Sequence, residues 1–275
     1  MLTVLTAKNI TGMPEQVPRA GIVPAKGHRV LRFLISLSYE KNPSHMIDLP
    51  GKAIHDFHFT ERRKKLFVHD EFGPKVEMPV SYYFRNFRKM PELERVAIEE
   101  CSGKVLDIGA AAGSHALDLS KKGLDVTALE ISPLACEVMK DRGVANVICE
   151  DFFTFEGQKF DTLLLLMNGI GISSTLEGFR EFLKKASTLL NNDGKIVFDS
   201  CDIAYMYEDG AMPDSHYYGE IKTRYEFDRQ LTDWFHWLYL DSETMTRIAG
   251  ESGFRAEIIF EDENDQYLSV LTKIS

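Results

Sequence analysis

Val105-Leu106-Asp107-Ile108-Gly109-Ala110-Ala111-Ala112-Gly113-Ser114 is a short apolar run that carries one acid and then breaks into a loop built only of Gly and Ala. It reads as a strand, a tight turn and the start of a helix. Gly109, Ala111 and Gly113 recur at every second position, so the backbone can bend sharply and approach a bound molecule with no side chain in between. A helix that starts at such a loop presents unpaired N–H groups in its first turn, which favours a carboxylate, a phosphate or another polar part of a ligand.

A Gly-rich strand-to-helix turn by itself also describes an ordinary close contact between helix and strand. The strands that follow add weight to the ligand reading. Residues 124–130 form an apolar strand ending in Glu130, 23 residues beyond Asp107. An acid at the tip of the second strand of a doubly wound sheet can accept two hydrogen bonds from a ribose diol. Residues 145–149 form a third strand, followed by Glu150, Asp151 and Phe152. Three successive strands with acids at their carboxyl ends mark the edge where open α/β sheets bind ligands.

These residues resemble the cofactor half of a class I S-adenosylmethionine-dependent methyltransferase, whose first motif is an acid, any residue, then Gly-x-Gly-x-Gly. Here it stands as Asp107-Ile108-Gly109-Ala110-Ala111-Ala112-Gly113, with Ala111 in place of the middle Gly. The resemblance implies S-adenosyl-L-methionine as cofactor. It places Asp107 at the methionine end, Glu130 at the ribose hydroxyls and Asp151 with Phe152 at the adenine, with Gly109, Ala111, Gly113 and Ile131 as further cofactor-binding residues. Met167 is implied as a further cofactor neighbour. The segment before the first strand folds over the site in related enzymes, which would make Tyr83 a substrate cap and Arg85 a partner for the methionine carboxylate. Core aromatics and surface arginines are the alternative for both.

The implied fold is α/β: a doubly wound, mostly parallel seven-stranded sheet of Rossmann-like methyltransferase type, with an antiparallel closing strand and an inserted hairpin. The span 48–274, including Met78-Pro79, Phe84-Arg85, Met90-Pro91 and Met167-Asn168-Gly169-Ile170-Gly171, is similar to a group of bacterial methyltransferase-like proteins with no assigned substrate. The resemblance thus implies the reaction and leaves the acceptor open. Residues just past the fourth strand lie between cofactor and acceptor in several methyltransferases, which makes Asn168 a catalytic and substrate-side candidate.

Along the chain, residues 1–45 are punctuated by Pro14, Pro18, Pro24 and Pro43 and read as an extension. Residues 46–275 then form the methyltransferase domain. Within it, 46–101 is an amino-terminal cap with short helices at 50–59 and 91–100, and 102–200 is the cofactor-binding core. Helices at 114–122 and 133–142 are closed by Gly123 and Gly143. Strand 161–167 is apolar without alternation, as a strand covered on both faces should be. Ser174 and Glu177 form a capping box for a helix whose apolar face includes Leu176, Phe179, Phe182, Leu183, Ala186 and Leu190, ending at Gly194. A strand at 195–199 follows. Residues 201–241 hold an inserted substrate-side hairpin, 218–227 with 232–240, and 242–275 the last helix and two closing strands.

Composition narrows the partners. The 275 residues carry a formal net charge of −10, which opposes binding to nucleic acid. The run Arg62-Arg63-Lys64-Lys65 sits among acids and reads as a solvated face. No apolar run approaches the roughly 20 residues of a membrane span. Cys101, Cys136, Cys149 and Cys201 form no C-x-x-C pair, which suits a reduced, cytoplasmic setting. His55 and His58 lie three apart without a third ligand in register, so no metal is expected.

A small-molecule acceptor fits the acidic balance, the aromatic stretch Tyr82-Tyr83-Phe84 and the insertion. Methyl transfer from a sulfonium by in-line displacement asks mainly for alignment. A hydroxyl or protonated amine acceptor also needs a base. His216 and His236 in the insertion are the candidates, with Asp202 as a third; Tyr218 is a substrate-side candidate. Two other classes share parts of the pattern. A nicotinamide-dependent oxidoreductase has the same strand, loop and distant acid, but wants Gly or Ala where Ser114 stands. A non-catalytic cofactor-binding or regulatory protein is compatible with Ala111.

Overall fold

The computed structural model describes residues 47–207 and 212–274; the expected extension over 1–45 lies outside them. Helix α1 (Leu49–Phe59) is capped by Asp48, whose side chain accepts the Gly51 N–H at 2.8 Å. Strands β1 (Leu66–Asp70) and β2 (Val76–Met78) pair antiparallel, and two 3-10 turns lead to α2 (Glu92–Glu100). Strand and helix then alternate through β3 (Lys104–Ile108), α3 (Ser114–Lys121), β4 (Asp125–Glu130), α4 (Pro133–Asp141), β5 (Val147–Cys149), β6 (Phe160–Leu165), α5 (Leu176–Leu189) and β7 (Leu190–Cys201). The chain continues through β8 (Glu220–Phe227), β9 (Gln230–Leu231), β10 (Phe235–Leu238), α6 (Ser242–Glu251), β11 (Phe254–Glu261) and β12 (Gln266–Lys273).

Seven strands form one sheet in the order β11-β12-β7-β6-β3-β4-β5. The pairs β7–β6, β6–β3, β3–β4 and β4–β5 are parallel, and β12 runs antiparallel between β7 and β11. The sheet is the doubly wound one expected, with its antiparallel closing strand. The chain moves outward from β3 to β5 and then crosses back to β6, so the strand order reverses between β3 and β6, where open α/β sheets bind ligands.

Both faces of this sheet are covered. Leu163 and Leu165 of β6 enter one core with Phe160, Phe179, Phe182 and Phe198, while Leu164 between them enters the other with Ala116, Leu119 and Met139. That two-sided burial explains why β6 lacks an alternating pattern. No helix among the described residues is long and apolar enough to cross a membrane.

Three local expectations are corrected. Helix α5 is capped by Thr175, which accepts the Gly178 N–H at 3.0 Å, and not by Ser174, which takes a left-handed turn at φ 63°. Leu190 and Gly194 belong to β7, because pairing of Leu190 with Phe160 ends the helix at Leu189. The inserted segment is more than a hairpin. Strand β8 pairs with β1 as well as with β10, giving a second sheet of order β10-β8-β1-β2, with β9 also on β8. Asp228 and Arg229, both at positive φ, make the tight turn between β8 and β9.

Leu66 and Phe227 on the inner face of this small sheet pack with Leu49, Ala53 and Ile54 of α1, Ala135 and Val138 of α4, and Ala112 of the loop after β3. The cap and the insertion, far apart in sequence, are therefore one layer over the cofactor loop.

Candidate cofactor and acceptor site

The loop after β3 places Gly109, Ala111 and Gly113 in the left-handed region, at φ 69°, 50° and 76°. The Gly109 and Ala110 N–H groups both donate to the Leu129 carbonyl, at 2.8 and 3.2 Å, and fix the loop to β4. A side chain at Gly113 would come within 2.7 Å of Val144 and 2.9 Å of Met139, so packing demands a glycine there. A Cβ at Gly109 would meet nothing within 4 Å. The loop is thus open on the Gly109 side and closed on the Gly113 side. An alanine held at positive φ costs about 1–2 kcal/mol. The Ala111 methyl is offset by its contact with the apolar cluster that also contains Tyr83 and Tyr225.

Glu130 ends β4 with its carboxylate turned into this loop. Its Oε2 accepts the Ala111 N–H at 2.8 Å and its Oε1 the Ser132 N–H at 2.9 Å. Burial raises its pKa, against the lowering effect of those two donors. Ser132 in turn donates to Asp48 at 2.5 Å, which ties α1 to the end of β4. Arg142 grips the other end of the loop through the Ala112 carbonyl and Ser114 Oγ, and Ser114 donates to the Tyr83 carbonyl at 2.6 Å.

Asp107 is only 2% exposed, and its Oδ2 finds no partner among the described residues. Burial raises its pKa, moderated by nearby His115 and the Ala116 N–H. Next to it lies a buried charge cluster that sequence reading did not find. Glu94, 3% exposed, bonds Arg85 at 2.5 Å and His115 at 3.1 Å. Arg85 also lies over the Tyr82 ring at 4.9 Å, and its buried Nε has no partner among the described residues. The only sequence signal for this cluster is an acid in the first turn of α2.

Of the other expected residues, Ile131 stands 59% exposed directly after Glu130. Asp151 accepts the Phe153 N–H at 2.8 Å, and Phe152 is buried against Phe182 at 4.9 Å. Met167 takes φ 61° and lines a cavity of about 430 Å³ with Pro91, Leu93, Glu94, Asp199 and Gln266. Asp199, also missed from the sequence, lies two residues before the end of β7 with both oxygens accepting the Asn168 N–H, and burial pushes its pKa up to about 6. Asn168 is itself buried, donating to the Leu238 carbonyl at 3.2 Å and accepting from Ser200 Oγ at 3.0 Å, so its amide holds the small sheet to the loop after β6. Tyr83 donates to the Met78 sulfur at 2.7 Å and Tyr218 to Asp202 at 2.7 Å.

The structure does not bring the two histidines to this site. His236 is exposed on β10, because strand alternation directs it away from Phe235 and Trp237. His216 is exposed and, among the described residues, bonds only to Ser215. Trp237 rests instead on Gly171 in the loop after β6, where a Cβ would approach its Nε1 to 2.1 Å. Gly171→Ala is expected to push Trp237 off this loop at a cost of about 1–3 kcal/mol. A lowered melting temperature with shifted tryptophan emission is the readout.

The model for a methyltransferase domain matches residues 106–198. A SAM-dependent methyltransferase from Bacteroides fragilis, solved with S-adenosyl-L-homocysteine, is 40% identical, with a TM-score of 0.77 over 83% of this chain and 95% of that one. The CcbJ methyltransferase from Streptomyces caelestis shares the fold at 13% identity and a TM-score of 0.53, over 69% of this chain and 95% of that one. A sugar N-methyltransferase from Streptoalloteichus shares it at 15% identity and a TM-score of 0.50, over 74% and 96%. No curated protein sequence matches. The chain belongs to the SAM-dependent methyltransferases, and its cofactor is S-adenosylmethionine.

The residues present fit that cofactor. A buried unpaired acceptor on Asp107 and a buried unpaired donor on Arg85 are of the two signs that an α-amino and an α-carboxylate group require. The open face of Gly109 and the carboxylate of Glu130 lie along the same edge.

Proposed function

We propose that the protein transfers a methyl group to a small-molecule acceptor by in-line displacement, with residues 46–275 as the catalytic unit. The observation that carries this reading is the small sheet. Its aromatic inner face covers the carboxyl edge, joined to the loop after β6 by Trp237 on Gly171 and to the loop after β3 by the cluster of Ala111 and Tyr225. Such a roof suits a compact acceptor better than a polymer, and the net charge of −10 argues against a polyanion.

When bound, the cofactor supplies an electrophilic methyl group. This chain's residues bind and align. Asp107 and Arg85 hold the amino-acid end, Glu130 the ribose, and Ile131 and Asp151 border the adenine with Phe152 behind them. Gly109, Ala111 and Gly113 let the backbone approach, and Met167 flanks the methionine end. Alignment of this kind is worth up to ~7–11 kcal/mol in ideal cases. Tyr83, Asn168 and Tyr218 support the acceptor side by holding the cap and roof in place, and no proton transfer is assigned to His216 or His236.

Incubation with methyl-labelled cofactor and separate metabolite, protein and nucleic-acid fractions tests the reading. Label is expected in the dialysable metabolites; label confined to macromolecules would overturn it.

A further inference from the structure

The inner face of the small sheet carries Phe235 and Trp237 on β10, opposite Thr223 and Ile221 of β8, with Tyr225 further along β8. Tyr225 and Phe235 have ring centroids 5.5 Å apart, and Phe235 and Trp237 6.3 Å. Tyr239 continues the alternation past Trp237. This row spans the point where the strand order reverses, from Ala111 on one side to Gly171 on the other.

The tyrosines around it differ in how their hydroxyls are used. Those of Tyr83, Tyr207, Tyr217 and Tyr218 donate to Met78, the Tyr218 carbonyl, Asp241 and Asp202. The hydroxyls of Tyr225 and Tyr239 bond no described residue, although burial raises the pKa of both, that of Tyr225 to about 12. After burial, Glu130 raises Tyr225, and Tyr225, Cys201, Tyr205 and Asp70 raise Tyr239. The basic side chains of β8, Lys222 and Arg224, alternate to the opposite face, where Arg224 lies over Trp234 at 4.4 Å.

We propose that Tyr225 and Tyr239 are specificity-determining residues that recognise a cationic amine carried on a ring-shaped small molecule, which lies against Trp237 and Phe235. Aromatic faces attract an ammonium group, and free phenolic oxygens accept its N–H bonds. This rests on the small-molecule methyltransferase reading and adds the class of its acceptor.

The chain has two tryptophans, so Trp234→Phe leaves Trp237 as the sole indole reporter. This variant, saturated with S-adenosyl-L-homocysteine, is titrated with cyclohexylamine and with cyclohexanecarboxylate while Trp237 emission is followed. The amine is expected to bind at least about tenfold more tightly than the carboxylate, a difference of ~1.4 kcal/mol. Adding Tyr225→Phe and Tyr239→Phe together should weaken amine binding about tenfold, with S-adenosyl-L-homocysteine affinity retained by calorimetry as the control for folding. Equal binding of the two probes, no response to either, or unchanged amine affinity in the tyrosine variant overturns the proposal. Failure of the methyltransferase reading shows separately, as label entering macromolecules alone.

Discussion

Glu130→Ala is expected to lower affinity for S-adenosyl-L-homocysteine by about 100-fold or more, read by calorimetric titration. The size follows from two losses at one carboxylate. The contacts proposed for it at the ribose hydroxyls would disappear, and hydrogen bonds to a charged group contribute about 1.5–3 kcal/mol each. The Ala111 and Ser132 N–H groups that it holds at 2.8 and 2.9 Å also lose their acceptor. Ala111 is already strained at φ 50°, so the loop is expected to relax out of its binding shape and the melting temperature to fall as well. Glu130→Gln keeps one acceptor oxygen and should fall between parent and Ala. Full affinity in Glu130→Ala would remove this residue from the cofactor site.

The parts of the fold that could be read from sequence are those fixed by local chemistry. Gly123 and Gly143 close their helices at φ 86° and 88°, as helix-ending glycines should. Acids at strand tips located the binding edge because the doubly wound topology is itself implied by strand and helix alternation. The parts that could not be read depend on partners remote in sequence. Strand β1 pairs with β8 about 150 residues later, and nothing within Leu66–Asp70 specifies that partner, although Gly73-Pro74 between two short runs is a hairpin signal. His236 was a plausible base by residue type, but which face of β10 it takes depends on pairing with β8. Ser174 lost its capping role to a neighbour because the preceding 3-10 turn, Gly169–Ser173, sets where the helix can begin. Asp199 and Glu94 became functional candidates only when folding buried them.

Glu94→Leu is expected to destabilise the protein by about 3–5 kcal/mol, the usual result of removing one member of a buried ion cluster and leaving the others uncompensated. Arg85 and His115 would be left with no carboxylate at 2.5 and 3.1 Å. The cluster also predicts a pH profile. Burial raises the Glu94 pKa, but His115 and Arg85 outweigh it and hold the carboxyl below its ordinary 4.5. Its contribution is therefore present above about pH 4.5 and is lost as pH falls through the lowered folded value. For His115, burial acts downward but Glu94 and Asp107 win, and the imidazole stays charged above its ordinary 6.5. Its contribution is fully present below pH 6.5 and is lost as pH rises through the raised folded value. Denaturant unfolding across pH should therefore show a plateau between these limits in the parent. Glu94→Gln should remove the acid limb and weaken the alkaline one, since His115 loses its main partner. Profiles that superimpose would mean that the cluster does not couple to folding. Asp107 acts in the opposite sense: burial raises its pKa, so holding it ionised costs stability in the free protein. In the proposed site a cationic amino group would compensate its unpaired Oδ2, and cofactor binding is then expected to stabilise this corner by linkage.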